Sequence, residues 1–144
     1  QWRVFSKHNK KGLIKKNVVI LPIQNELFVE SIASSEGVIC GAGFETPAEA
    51  LFMKKKLLVI PMKGQYEQQC NATALEEMGV PVMKSLKKKH LHILEKWLSS
   101  EDRIEVDYPD ITERILDHIF SKYTKSKSEG DLVRKWEKEL DLDA

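Results

Sequence analysis

The chain has 144 residues, 42% hydrophobic and 31% charged, with a formal net charge of +1 from 23 basic and 22 acidic side chains. That balance removes the simplest argument for a nucleic-acid partner, no apolar run reaches the ~20 residues of a membrane span, and ordinary Gly and Pro usage excludes collagen-like and low-complexity chains. A domain of this size buries ~70% of its unfolded surface and needs no staple. Its two cysteines, Cys40 and Cys70, make no CxxC or zinc spacing, and reduced thiols in a cytoplasmic protein are expected.

A strand is expected at once, over Trp2-Arg3-Val4-Phe5-Ser6. The chain begins at Gln1 with no leader pattern ahead of that strand, so it reads as a fragment of something longer. Residues 1–20 hold six basic side chains and no acid, whereas 101–144 hold thirteen acids against eight basic residues. Residues 7–16 read as a solvated turn, with a phosphate or lipid-headgroup patch as the alternative. Lys54-Lys55-Lys56 and Lys87-Lys88-Lys89 read as a helix end and a helix start.

Continuous apolar runs at 18–21 (VVIL), 38–40 (VIC) and 57–60 (LLVI), with a weaker one at 80–83 (VPVM), predict strands covered on both faces. Helical spacing lies between them: Leu27, Phe28, Ile32 and Ala33 over 26–34, Ala50, Leu51 and Met53 over 46–54, and Ala74, Leu75 and Met78 over 67–78, ended by Gly79. This alternation predicts βαβ units, hence an α/β fold with a Rossmann-like parallel sheet flanked by helices. Beyond residue 85 the pattern is helical, with stripes at Leu91, Leu94, Trp97, Leu98 and at Ile111, Ile115, Leu116, Ile119, Phe120. The domain is expected over 1–123 with these extra C-terminal helices. Residues 124–144 are expected to be a linker (TKSKSEG) and an amphipathic helix carrying Leu132, Val133, Trp136 and Leu140.

Ligands of open parallel sheets sit at the carboxyl ends of strands, over helix N-termini. One such place is clearly marked. Strand 38–40 runs into Gly41-Ala42-Gly43-Phe44-Glu45, and a helix is expected to open at Thr46 with Pro47 in the first helical position. The two glycines allow close approach and φ > 0, and free N–H groups at the positive dipole end suit a phosphate. Thr46-x-x-Glu49 is equally a capping box. A third glycine is lacking at position 46, which disfavours a dinucleotide. The second dense place, Pro61 to Asn71, follows strand 57–60 and carries Gln65, Glu67, Gln68, Gln69 and Asn71, enough hydrogen-bonding capacity for the hydroxyls of a sugar.

Together GAGFETPAEAL and KKLLVIPMKGQYEQQCNA, over roughly residues 17–86, resemble the donor-sugar signature of GT-B glycosyltransferases. That superfamily includes UDP-sugar transferases and the GlcNAc transferase of peptidoglycan synthesis; the wording of the motifs is most similar to an uncharacterised bacterial and archaeal branch. The resemblance implies the C-terminal, nucleotide-sugar-binding half of such an enzyme, moving a hexose from a UDP-sugar to an acceptor hydroxyl. Gly43, Phe44 and Thr46 would meet the donor diphosphate, Glu49 the ribose, and Glu67 and Gln68 the transferred sugar, while Asn71 would support that loop. Residues 22–24 would lie near the base. No metal or other cofactor is implied, and no Asp-x-Asp motif occurs.

Two departures stand out. Gly41 replaces the His that many members place before the glycine pair, and Glu45 stands where some have Asn. The first strand of the half-domain and the whole acceptor-binding half, which supplies the base, are not in the chain, so the fragment alone is expected to be inactive. The expected partners are the donor, an unidentified acceptor, and the N-terminal half in the same protein or on a partner chain; association with the inner face of the membrane is a further expectation. A standalone non-catalytic donor-binding subunit and a sugar-nucleotide epimerase are the rival readings.

Overall fold

The computed structural model describes residues 1–123; the linker and last helix expected over 124–144 lie outside the described residues. The fold is mixed α/β, as the alternating runs predict, and falls into two compact units, Gln1–Val106 and Asp107–Ala144.

In the first unit β1 (Trp2–Phe5) pairs in parallel with β3 (Val18–Leu21), Trp2 opposite Val18. Strand β2 (Leu13–Lys15) adds to the other side of β3, antiparallel, where only a solvated turn was expected. It is three exposed residues between lysine pairs, too short and too polar in context to register as a strand. Helix α1 (Asn25–Ala33) then leads to β4 (Gly37–Cys40), which pairs in parallel with β5 (Lys56–Val59), Val38 opposite Leu57. Of the weak candidate at 80–83, a single parallel bridge from Val82 to Val59 remains.

Strand β5 explains why its run is unbroken. Leu57 and Val59 pack with Ala50 and Leu51 of α2 (Glu45–Phe52) and with Ala72 and Leu75 of α3 (Tyr66–Glu77). Leu58 faces the opposite way, onto Met83 and Trp97 of α4 (Leu91–Ser99). A strand covered on both faces has no polar alternate positions. Its first residue, Lys56, was expected in a helix end and is instead buried. Its Nζ stands over the Trp97 ring, 5.1 Å from the centroid, and the ammonium donates to the carbonyls of Leu98 and Ser100. Gly37 is needed where it is, because a Cβ there would stand 2.7 Å from the Trp97 ring.

Helix α3 ends as expected at Gly79, which takes φ +92°. Val80 N–H reaches back to Leu75 O (2.9 Å) and Gly79 N–H to Glu76 O (2.9 Å), a Schellman closure that fixes the turn into residue 82. In α4 the buried stripe uses Trp97 with Ile93 and Leu94, whereas Leu98 is exposed. In α1 Ile32 is buried, but so is Ser31, and Ala33 is exposed; Arg3 Nη1 donates to the Ser31 and Ser34 hydroxyls at 3.2 and 3.3 Å.

The described part of the second unit holds α5 (Thr112–Tyr123), which starts just after Ile111 and carries Ile115, Leu116, Ile119 and Phe120 at helical spacing. Among the described residues no helix is long and apolar enough to cross a membrane.

Candidate functional site

The carboxyl ends of β4 and β5 open into a cleft of about 450 Å³. Its lining is Cys40, Gly41, Gly43, Phe44, Glu45, Thr46 and Pro47 from the first loop and helix start, with Glu67 and Gln68 from the start of α3. Two stretches 20 residues apart in sequence thus meet at one sheet edge, because parallel strands deliver their following loops to the same end.

The first loop differs from its expected form in two respects. Helix α2 starts at Glu45, with Phe44 as its N-cap, and no side chain caps it. The capping box between Thr46 and Glu49 is therefore not formed. Pro47 sits in the third helical position, which costs nothing, since first-turn N–H groups have no intrahelical acceptor. The N–H groups of Glu45 and Thr46 are such orphans, at the positive end of the helix. Gly41 and Gly43 do not use positive φ; among the described glycines only Gly64 and Gly79 do. Their use is steric. A Cβ on Gly41 would lie 3.3 Å from Gln68 Oε1, and a Cβ on Gly43 would meet nothing within 4 Å. Gly43 borders open space.

The second loop is tied down by its own amides. Gln68 Oε1 accepts from Met62 N–H (2.9 Å) and its Nε2 donates to Gln65 Oε1 (2.7 Å). Gln69 Nε2 donates to Met62 O at 3.1 Å. Asn71 Nδ2 donates to Ala42 O at 3.1 Å, linking α3 to the first loop across a fully buried Ala42. Glu67 is exposed, and its carboxylate has no hydrogen-bond or ion-pair partner among the described residues.

Of the residues expected at the site, Gly43, Phe44, Thr46, Glu67 and Gln68 line the cleft. Glu49 is half-buried one turn further into α2, and Asn71 lies behind the loop it holds; neither is part of the lining. Residues 22–24 do not line it either. Cys40, not expected there, forms part of the wall, and burial pushes its thiol up to about 12. It is neutral at physiological pH and adds no negative charge to the cleft. Glu45 does add one. No histidine lines this cleft; His92 borders a separate cavity of about 470 Å³ beside α4. Among the described residues no group of His, Cys, Asp and Glu could hold a metal ion.

Residues 1–100 match the profile of glycosyl transferase family 1. The chain belongs to that family. Sugar transfer is the chemistry of such domains, and the parallel βα units around β4 and β5 are in keeping with a GT-B-like glycosyltransferase. A relative from Methanosarcina acetivorans, described as an uncharacterized glycosyltransferase, is 38% identical over 71 residues, covering 49% of this chain and 18% of that protein. The match thus spans less than a fifth of the relative's length. No solved structure matches this family 1 domain.

Proposed function

We propose that this domain is the donor-binding, C-terminal half of a glycosyltransferase that moves a hexose from a UDP-sugar to an acceptor hydroxyl. The observation that carries this reading is the uncapped start of α2: orphan N–H groups at Glu45 and Thr46, beside a glycine that borders open space, lining one cleft with Glu67 and Gln68. The first part suits a diphosphate, and the second suits the hydroxyls of a sugar. Helix-end N–H groups and the Thr46 hydroxyl then stabilise the charge that develops on the diphosphate leaving group, a role that calls for no metal. The base that deprotonates the acceptor comes from an N-terminal half, in the same protein or on a partner chain.

The test compares UDP with a UDP-hexose panel on one variant. Glu67→Ala is expected to leave affinity for bare UDP unchanged and to weaken the matching UDP-sugar by ~1–3 kcal/mol, the usual cost of unpairing buried polar groups. Equal losses for both ligands would remove the sugar-contact role.

A further inference from the structure

We propose that the outer edge of the three-stranded sheet, strand β2 with the turns on either side of it, docks this domain on an anionic lipid surface. This does not depend on what the cleft binds.

Lys7, Lys10 and Lys11 precede β2, and Lys15 and Lys16 close it; all five are exposed. No acid lies within residues 1–20, and the one ion pair among the described residues, Arg103 with Glu36, is elsewhere. Between the lysines stand Leu13, 52% exposed, and Ile14, 74% exposed. Leu13 is opposite Ile20 and Ile14 opposite Val19, so the two point to opposite faces of the sheet. A surface that touches both must meet the edge, not a face.

Three occupants fit such an edge differently. Lysines alone can guard a bare edge against pairing with another sheet, but a guard has no use for two exposed aliphatic side chains. A nucleic-acid backbone would take the lysines yet give Leu13 and Ile14 nothing to bury against, and residues 6–17 contain no Phe, Tyr or Trp, leaving His8 as the one ring on which a base could stack. An anionic bilayer uses both. Its headgroups attract the lysines, and the boundary with the acyl chains receives the aliphatic side chains. As the edge strand, β2 leaves its outer N–H and C=O groups without a strand partner among the described residues, which limits insertion to the hydrated headgroup layer.

The experiment is co-sedimentation of the full chain with vesicles of phosphatidylcholine alone or mixed with phosphatidylserine. The chain is expected to sediment with the mixed vesicles only, and less as salt shortens the range of the attraction. Lys10→Ala with Lys11→Ala should lower partitioning about twenty-five-fold, from about fivefold per lysine near a charged surface. Ile14→Ser should lower it severalfold without changing its salt dependence. Lys15→Ala with Lys16→Gly is a second hairpin variant. Lys16 has φ +55°, which glycine adopts freely, so the turn keeps its shape. The triple change Lys87→Ala, Lys88→Ala, Lys89→Ala, on an exposed lysine run elsewhere, should sediment like the parent. No sedimentation with mixed vesicles, an equal loss in that triple variant, or hairpin variants of circular dichroism matching the parent that still bind like it, would each overturn the proposal. So would binding to duplex DNA at a salt concentration where vesicles are ignored.

Discussion

The two loops that form the cleft solve opposite problems. The loop after β4 leaves its polar groups open: α2 starts without a side-chain cap, and nothing stands within 4 Å of a Cβ on Gly43. The loop after β5 spends its polar groups on itself, with Gln65, Gln68 and Gln69 closed onto one another and onto Met62. One is prepared for a ligand by what it lacks. The other is made rigid by what it has, and it offers Glu67 from a fixed support. Asn71, bonded to Ala42 O, couples the two.

The sharpest way to break this contrast is a pair of glycine changes. Gly43→Ala should fold with stability within ~0.5 kcal/mol of the parent, as an unconstrained surface change does, yet weaken UDP at least tenfold, ~1.4 kcal/mol. Gly41→Ala should do the reverse in stability, losing ~1 kcal/mol as its Cβ displaces Gln68 from Met62 N–H. Thermal unfolding and calorimetric titration of both variants check this, and an unchanged UDP affinity in Gly43→Ala would close the first loop as a phosphate site.

A smaller effect is expected at Glu45. Its charge suits the start of a helix but opposes a diphosphate in the same cleft. Glu45→Gln should tighten UDP by ~0.3–1 kcal/mol while lowering helix stability by a similar amount. Weaker UDP binding in that variant would mean that the diphosphate lies elsewhere.

The least perturbing check uses the cysteines. With its thiol pushed up to about 12, Cys40 carries almost no thiolate at pH 8, and the thiolate is the reactive form. Exposed Cys70 should be alkylated first, and Cys40 only on unfolding or well above pH 8. Peptide mass mapping after brief iodoacetamide treatment reads the order, and early labelling of Cys40 would show that the wall of the cleft opens.

Much of this architecture is legible in the sequence because burial on both faces leaves a plain trace. The runs LLVI and VIC locate β5 and β4, and Gly79 marks the end of α3 through the left-handed residue that a Schellman closure needs. Three things are not legible. The start of α2 reads as a capping box because Thr46-x-x-Glu49 has the right spacing; only geometry reveals that the helix extends back to Glu45 with Pro47 inside its first turn. The amides of residues 65–69 announce hydrogen-bonding capacity but not its direction, and most of it turns inward. Lys56 reads as surface charge, while a tryptophan ring 41 positions later and two carbonyls make it a core residue. Each of these depends on a partner, or on a direction, that local pattern does not encode.

The central claim, that the uncapped start of α2 holds the donor diphosphate, is tested most directly by titrating the isotope-labelled 144-residue chain with UDP and with uridine. Binding of UDP is expected on the order of millimolar, ~4 kcal/mol, for a site with half its cleft. The amide resonances of Gly43, Phe44, Glu45 and Thr46 should move first and furthest with UDP, and scarcely with uridine at the same concentration. Shifts that cluster away from residues 41–47, or that uridine reproduces in full, would contradict the account.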